Sequence, residues 1–212
     1  KSYIEAIDKT RPITVGDNNP NGLQNANTQE FRNKVSTVLA KNGEGLAGAN
    51  YSMGSMAGIH KTHPDWKIIA TESASPSNSR GIYNTLSQYN KTGYYQCTAY
   101  DTNAVSWGNT ARESWWYTIK DDFVSGEFIW TGFDYIGEPT PWNGTGTGSV
   151  SGDKLAVPNS SYFGVIDTAG FEKDSFYFYT SQWREDKKTL HVVPQSWNAE
   201  DLSISGGKVP VY

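Results

Sequence analysis

Short apolar runs alternate along the chain with longer stretches in which apolar positions recur at helical spacing. The short runs lie at residues 12–15, 46–51, 67–72 and 126–131, and the longer stretches between them lie at 28–40, 78–89 and 110–120. Short runs bounded by turn residues predict strands, whereas a mixed apolar and polar periodicity predicts helices. Because strand and helix alternate, we expect a parallel α/β sheet or barrel. Four such units form half of a (β/α)₈ barrel.

The pattern changes after the fourth apolar run. Residues 143–151 (NGTGTGSVS) lack apolar periodicity and predict a loop, and a last helix is predicted at 173–183. Residues 189–193 and 202–212 then predict strands separated by turn residues, as at the opening of a β-sandwich.

These patterns predict two parts. Residues 1–185 are expected to form the C-terminal half of a catalytic TIM barrel, and residues 186–212 the start of a β-sandwich domain. The first seven residues (KSYIEAI) predict the end of a helix already under way. We therefore expect the chain to be cut from something longer.

Aromatic side chains are unusually frequent. They make up 14% of the 212 residues and include 8 Trp and 13 Tyr, in a polar chain of mean hydropathy −0.61. Indole and phenol rings combine a flat apolar face with a polar tip, which suits stacking on the C–H face of a sugar. The composition therefore favours a carbohydrate ligand.

Charge and hydropathy exclude other classes of partner. The net charge of −4 argues against a nucleic-acid surface, which needs clustered Lys and Arg. No apolar stretch approaches the ~20 residues that span a bilayer. The lone Cys97 permits no disulfide within the chain, and it is interpreted as a packing residue. The three histidines, at 60, 63 and 191, share no ligand spacing, so no protein-bound metal is predicted, although bound sodium or magnesium is left open.

The ends of the predicted strands carry the candidate chemistry. In barrel enzymes the working residues lie at the C-terminal ends of strands, a rule that selects Tyr51, Glu72 and Trp130. Small residues at 73–75 leave room beside Glu72 for a substrate, and the indole of Trp130 can form the floor of a sugar site. An ordinary surface glutamate and a packed core tryptophan are the alternatives. Glu127 lies at the beginning of its apolar run and is expected to serve stability.

The longest motif resembles a known enzyme family. Residues 126–142 (GEFIWTGFDYIGEPTPW) are similar to the eighth-strand motif of glycoside hydrolase family 2 β-galactosidases, and residues 160–171 (SSYFGVIDTAGF) to the block that follows it. Shorter matches occur in the same order, at residues 8–15 (DKTRPITV), 50–51 (NY), 71–75 (TESAS) and 104–110 (AVSWGNT). The resemblance spans nearly the whole chain.

The resemblance implies roles for three of these residues. Glu72 matches the seventh-strand glutamate that attacks the anomeric carbon, and Tyr51 matches the sixth-strand tyrosine whose hydroxyl approaches that nucleophile. Trp130 matches the tryptophan that lines the galactose site. Retaining glycosidases pair the nucleophile with a second carboxyl group about 5–5.5 Å away, which acts as general acid and then as base. The implied reaction hydrolyses terminal β-D-galactosides and requires no cofactor.

Four further residues are weaker candidates for sugar binding. Asn18 and Trp107 fall in segments expected to face the mouth of the barrel. Asp134 and Glu138 follow the last strand, where they can bind sugar hydroxyls or hold the loop together.

One expected residue is missing from the sequence. The acid/base glutamate of the family follows an asparagine at the end of the fourth strand, and no Asn-Glu pair occurs in this chain. We expect it upstream of Lys1, so the isolated chain should be inactive and should need the rest of its parent to complete the barrel.

The remaining alternatives differ in substrate or in class. β-Glucuronidases of the family use an Asn-x-Lys pair, but residues 158–162 (PNSSY) contain no lysine; galactoside is therefore favoured, and β-mannosidase stays open. A non-catalytic carbohydrate-binding fragment would suit the aromatic content, but the alternation of strands and helices opposes it. Relatives that degrade glycans are often secreted or surface-attached, so those locations are favoured over the cytoplasm.

Overall fold

The computed structural model describes residues 2–11, 13–18, 46–86, 96–138, 140, 160–195, 199–204 and 211–212. The chain divides into two compact units. The first unit comprises Lys1–Ser73 and Ser114–Ile129, and the second comprises Ala74–Glu113 and Trp130–Tyr212. The predicted helix at 28–40 and the predicted loop at 143–151 lie outside the described residues.

The described helices and strands follow one another in an alternating order. They are α1 (Ser2–Ile7), β1 (Gly16–Asp17), β2 (Leu46–Asn50), a 3₁₀ helix (Met53–Ser55), α2 (Met56–Thr62), β3 (Lys67–Ala74), α3 (Ala111–Ile119), β4 (Val124–Trp130), α4 (Asp174–Trp183) and α5 (Ala199–Ile204). The predicted elements at α1, β2, β3, α3 and α4 are confirmed. β4 begins two residues before its predicted start, and β1 lies just after the predicted strand at 12–15 rather than within it.

The four strands form one sheet in the order β1-β2-β3-β4. β1 pairs with β2 and β2 with β3 in parallel, which confirms a mixed α/β fold with a parallel sheet. Parallel neighbours require a crossover connection. The connection from β2 to β3 carries α2, and the connection from β3 to β4 carries α3.

The core of the first unit lies on one face of this sheet. Ala47 and Ala49 of β2 are buried together with Ile68 and Ala70 of β3, and α2 contributes Ile59. Because side chains alternate between the two faces of a strand, the residues between them point to the other face. Among the described residues, α2 therefore packs on the face of the sheet that carries these core side chains.

The second unit is held together mainly outside regular elements. Residues 78–86 are not helical, so the prediction of a helix at 78–89 is wrong for this part, and residues 87–89 lie outside the described residues. The physical reason is visible at Asn78. Its backbone N–H donates to Tyr162 O at 3.0 Å, and its side-chain amide donates to the carbonyls of Thr98 and Tyr100 at 3.1 and 2.9 Å. These polar groups bond to distant loops instead of to a helical turn.

The C-terminal segment also differs from prediction. α5 occupies residues 199–204, where the strand predicted at 202–212 would begin, and Ala, Glu and Leu in this segment favour a helix. Residues 189–193 form no regular strand, but His191 and Tyr212 exchange two backbone hydrogen bonds of 2.8 Å. The boundary at residue 185 and the following β-sandwich stay predictions. No helix within the described ranges is long and apolar enough to cross a membrane.

Candidate active site

An irregularity in the sheet sets the direction of Glu72. Gly48 pairs with Ile69 and Asn50 pairs with Glu72, so two residues along β2 correspond to three along β3. This is a β-bulge, and the extra residue reverses the alternation of side chains beyond it. Without it, Glu72 would share the face of Ala70, which is fully buried in the core. With it, Glu72 takes the register of Asn50 on the face away from that core.

The backbone around Glu72 is fixed from the neighbouring strand. The Tyr51 N–H donates to the carbonyl of Glu72 at 2.9 Å. Tyr51 has a φ of 49°, and Ala74 and Ser75, which follow Glu72, have φ values of 62° and 68°. Non-glycine residues rarely adopt this left-handed region, and such strained positions cluster at functional sites. The structure thus joins Tyr51 to Glu72 through the backbone, whereas the role of the tyrosine hydroxyl stays a prediction.

The side chain of Asn50 lies where three strands approach one another. Its Oδ1 accepts a hydrogen bond of 2.6 Å from the hydroxyl of Thr71. A Cβ placed on Gly16 of β1 would lie 2.6 Å from the same Oδ1 atom, so a larger residue at position 16 would displace the amide. Sequence reasoning quoted Asn50 only as part of a match. A polar residue at the C-terminal end of a parallel strand was the available signal.

Asn18 directly follows β1 and is exposed. Because β1 and β2 are parallel, their C-terminal ends lie at the same edge of the sheet. The structure therefore places Asn18, Asn50 and Glu72 at or near the C-terminal ends of three neighbouring parallel strands. Sugar binding by Asn18 stays a prediction.

A second carboxyl group of the first unit lies in the middle of β4. Glu127 Oε2 accepts hydrogen bonds of 2.7 Å from the hydroxyls of Ser73 and Ser114. Burial raises the pKa of Glu127, and the hydroxyls of Ser73, Ser114 and Thr118 act in the opposite direction. Sequence reasoning placed Glu127 at the beginning of its strand and so missed its proximity to the residue after Glu72.

In the second unit, Trp130 belongs to a cluster of polar and aromatic side chains. Its half-buried indole meets the ring of Tyr135 edge to face, with 6.1 Å between the ring centroids. The Tyr135 hydroxyl donates to the carboxylate of Glu138, which also accepts 3.1 Å from the hydroxyl of Thr140. Burial, followed by the Glu138 carboxylate, raises the pKa of Tyr135 to about 12, so the phenol stays protonated and remains a donor. The structure thus brings Trp130 and Glu138 together through Tyr135.

Asp134 uses its carboxylate inside the protein. Its Oδ2 lies 2.6 Å from Lys173 Nζ, and the two side chains are only 6% and 2% exposed. Its Oδ1 accepts the N–H of Gly164 at 2.7 Å. A Cβ on Gly164 would lie 2.1 Å from the Asp134 nitrogen, so glycine is required at this approach. The geometry favours the alternative that Asp134 holds the loop together, and sugar binding by it stays a prediction.

The loop that carries Trp107 is bonded to the last residue of β3 and to the residue that follows it. The Asn109 N–H donates to Ala74 O at 2.7 Å, and the Val105 N–H donates to Ser75 O at 3.3 Å. A Cβ on Gly108 would lie 2.3 Å from Ala74 O, which explains the glycine next to Trp107. The indole itself is 42% exposed. Trp107 therefore lies on a fixed loop and presents its ring to solvent.

Within the described parts of the chain, no group of three or more His, Cys, Asp and Glu side chains is placed to hold an ion. The buried histidine, His191, instead lies 2.6 Å from Asp174 Oδ1.

The chain is similar in sequence to a protein of known name. No family model matches the chain. It is 36% identical over 208 residues to β-galactosidase BoGH2A of Bacteroides ovatus, a match that covers 93% of this chain and 21% of that protein. The chain therefore spans about a fifth of the length of this curated relative.

Solved structures share the fold. The crystal structure of a β-glycosidase from Bacteroides vulgatus matches 91% of this chain and 24% of its own, with a TM-score of 0.60 and 24% identity. The crystal structure of a β-glucuronidase from Bacteroides uniformis matches 92% of this chain and 20% of its own, with a TM-score of 0.51 and 14% identity. At these sequence identities the two structures support a shared fold and nothing further.

Proposed function

The chain resembles a segment of the β-galactosidases of glycoside hydrolase family 2, and we propose that it supplies part of the active site of a retaining β-galactosidase. The observation that carries the proposal is the position of Glu72. It lies near the C-terminal end of β3, turned by a bulge into register with Asn50, and its carbonyl accepts the Tyr51 N–H at 2.9 Å. In barrel enzymes this end of the strands holds the catalytic residues.

The proposed reaction uses the Glu72 carboxylate as nucleophile. It attacks the anomeric carbon of a terminal β-D-galactoside, and the C–O bond to the leaving group breaks while a general acid protonates the departing oxygen. Water, deprotonated by the same group acting as base, then attacks the glycosyl-enzyme and releases galactose and free Glu72. This second carboxyl group is not supplied by an Asn-Glu pair of the chain, because the sequence has none. We place it in a longer parent protein.

The proposal assigns the sheet to a barrel. The order β1-β2-β3-β4, with β1 parallel to β2 and β2 parallel to β3, suits the fifth to eighth strands of a (β/α)₈ barrel, in which neighbouring strands follow the chain order. Residues 1–185 would then form the C-terminal half of the barrel and residues 186–212 would open a β-sandwich. The parent chain would then pair the outer edges of β1 and β4, beside which the described residues place no further strand. Alone, the chain should lose about 10²–10⁴-fold in rate for want of the general acid/base.

Sugar binding by the aromatic and polar cluster around Trp130 is a further proposal. Trp130 supplies an aromatic face, and the Tyr135–Glu138 pair beside it offers a hydroxyl and a carboxylate for sugar hydroxyl groups. Asn18 and Trp107 are weaker candidates. Tyr51 is proposed to orient the nucleophile through its hydroxyl.

A β-glucuronidase is the second candidate, because the chain is 35% identical over 117 residues, 54% of its length, to a protein of Formosa agariphila whose name is that of a β-glucuronidase. The absence of lysine from residues 158–162 speaks against a charged sugar, since no cation is supplied there for its carboxylate. Parallel assays with aryl galactoside, glucuronide and mannoside distinguish the three activities.

Covalent labelling tests the nucleophile directly. The longer protein is treated with an activated 2-deoxy-2-fluoro-galactoside, whose glycosyl-enzyme hydrolyses slowly, and the adduct is located by peptide mass spectrometry. We expect the adduct on the peptide that contains Glu72, and its loss in Glu72→Gln. The matched control is Glu172→Gln, which alters an exposed carboxylate and should label like the wild type. An adduct on any other carboxylate would overturn the assignment.

A further inference from the structure

Glu127 is a buried carboxyl group that the proposed reaction does not use. Its Oε2 atom accepts hydrogen bonds from two hydroxyls, those of Ser73 and Ser114, each at 2.7 Å. Both serines are fully buried, at 0% exposure. The Oε1 atom is buried as well and has no hydrogen-bond partner among the described residues. Glu127 therefore serves as the shared acceptor between β3, α3 and its own strand β4.

Ser73 connects this acceptor to the candidate nucleophile. It directly follows Glu72 in β3, and consecutive residues of a strand point to opposite faces. Its hydroxyl donates to Glu127 and lies 3.4 Å from the carbonyl of Phe128. Any shift of Ser73 on the helix side of the sheet is therefore passed through one peptide unit to the carboxylate on the other side.

The position of Glu72 is thus fixed from two directions. From β2, the Tyr51 N–H holds its carbonyl at 2.9 Å. From β4, Glu127 accepts a hydrogen bond from the hydroxyl of the next residue, Ser73, and another from Ser114 of α3. The intervening bulge needs such support, because a bulge interrupts the ladder of backbone hydrogen bonds that would otherwise hold the strand.

We propose that Glu127 is a positioning residue for Glu72, and that it acts by accepting the hydrogen bonds of Ser73 and Ser114. The inference rests on the proposed function, since it assigns Glu127 a part in the reaction of Glu72. A buried carboxyl group is expensive to desolvate, whereas an apolar side chain would fill the same space without that cost. Because Glu127 bonds to the residue next to Glu72, positioning of Glu72 would explain why a carboxyl group is present here despite this cost.

Two variants of Glu127 separate hydrogen bonding from packing. Glu127→Gln retains a carbonyl oxygen that can accept both hydroxyls, whereas Glu127→Met has similar length and no comparable acceptor. In the longer protein we expect Glu127→Met to lower kcat about 10- to 100-fold, since a misplacement near 1 Å can cost about 10² in rate. KM should stay within about threefold because no sugar contact is removed, and Glu127→Gln should keep kcat within about threefold. An unchanged kcat in Glu127→Met, or an equal loss in Glu127→Gln, would overturn the proposal.

Ser73→Ala provides an independent route should Glu127→Met not fold. It removes the hydroxyl that connects Glu127 to the strand of Glu72, and it should lower kcat to the same extent as Glu127→Met. Combining it with Glu127→Met should lower kcat no further, because both changes break one connection. Additive losses would show that the two residues act separately and would contradict the proposal.

A purely structural effect is controlled by Ile59→Val. Ile59 is fully buried in the core of the same unit, and its truncation should lower Tm while leaving kcat of the folded protein unchanged. A loss of kcat that follows Tm in all variants, this control included, would assign Glu127 to stability alone.

The proposed function is tested separately by labelling the wild type. If the fluorinated galactoside does not label Glu72 in the wild type, the proposed function fails. If Glu72 is labelled in the wild type and labelled at the same rate in Ser73→Ala, the positioning role alone fails.

Discussion

The two units of the chain achieve order by different means. In the first unit, a parallel sheet packs small and aliphatic side chains against helices, and its core includes Ala47, Ala49 and Ile59. Backbone pairing between strands then sets the position of the candidate nucleophile. Periodicity in the sequence is sufficient to specify most of this arrangement, because every residue of a strand has a defined face.

The second unit relies on buried polar pairs between distant segments. Lys173 pairs with Asp134 and also donates to the carbonyl of Asn78 at 2.7 Å. Asp174 accepts the Tyr83 hydroxyl at 2.8 Å and lies 2.6 Å from the ring of His191. Each pair connects residues far apart in the chain, and together they fix loops that lack a regular hydrogen-bond ladder.

The comparison shows where function and stability depend on different interactions. A change at Glu72 or Glu127 in the first unit is expected to act on the reaction by removing or moving one carboxylate, without a change in the apolar core. A change in a buried ion pair of the second unit leaves a charge without its partner, and the fold itself suffers. The four predictions below test this division, from the largest expected effect to the smallest.

Glu72→Gln tests the reactive position of the first unit. The amide keeps the shape of the side chain but cannot form the glycosyl-enzyme, so kcat of the longer protein should fall by about 10⁴–10⁶-fold. Assay of an aryl galactoside gives kcat, and thermal unfolding should show a Tm close to that of the wild type. Activity within tenfold of the wild type would remove Glu72 from the mechanism.

Lys173→Met tests the buried pair of the second unit. It leaves the Asp134 carboxylate buried beside the Gly164 N–H alone. Breaking such a pair from one side costs about 3–5 kcal/mol of the free energy of unfolding, whereas replacing both partners by apolar groups is often nearly neutral. Urea unfolding should therefore show a large loss for Lys173→Met and recovery in Lys173→Met/Asp134→Leu. A single variant as stable as the wild type would contradict the comparison.

Trp130→Ala tests whether the second unit contributes to binding as well as to structure. Loss of a stacked aromatic face should weaken galactoside binding by about 1–3 kcal/mol, by analogy with base–aromatic stacking. The measurement is KM and the inhibition constant of a galactose analogue. Trp116→Ala is the control, because that indole is 59% exposed on α3 and should leave both values unchanged. A fall in Tm without a change in binding would assign Trp130 to packing.

The difference between the units also explains which parts of the fold and of the candidate site could be predicted from the sequence. β2, β3 and α3 were predicted because their apolar periods match their elements, and the rule of strand ends selected Glu72 and Tyr51. The bulge that directs Glu72 was not predictable, since it follows from pairing with β2 and leaves no local signature.

Most of the second unit could not be predicted from hydrophobic periodicity, although its helix α4 was. The segment at 78–86 has a helical pattern but bonds instead to loops near residues 98 and 162. Tertiary partners override local preference where polar side chains such as Asn78 offer the backbone an alternative. The Lys173–Asp134 pair likewise joins residues whose proximity only the fold reveals.

The smallest expected effect is the pH dependence of stability that Glu127 causes. Its ionisable carboxyl group is an exception in the first unit, whose core is apolar. Burial raises its pKa from the ordinary value of 4.5, and the hydroxyls of Ser73, Ser114 and Thr118 only partly oppose the rise. A group with a raised pKa in the folded state contributes its stability below the unfolded pKa and loses it as the pH rises through the folded pKa. The wild type should thus lose stability relative to Glu127→Gln as the pH rises from about 4.5 towards neutrality, since the amide does not ionise. Thermal unfolding of both proteins across this range measures the difference in Tm, with Glu113→Gln, which alters an exposed carboxylate at the start of α3, as the control. A difference in Tm that does not change with pH would show that the folded protein leaves the ionisation of Glu127 unaltered, and the polar interior of the second unit would then have no counterpart in the first.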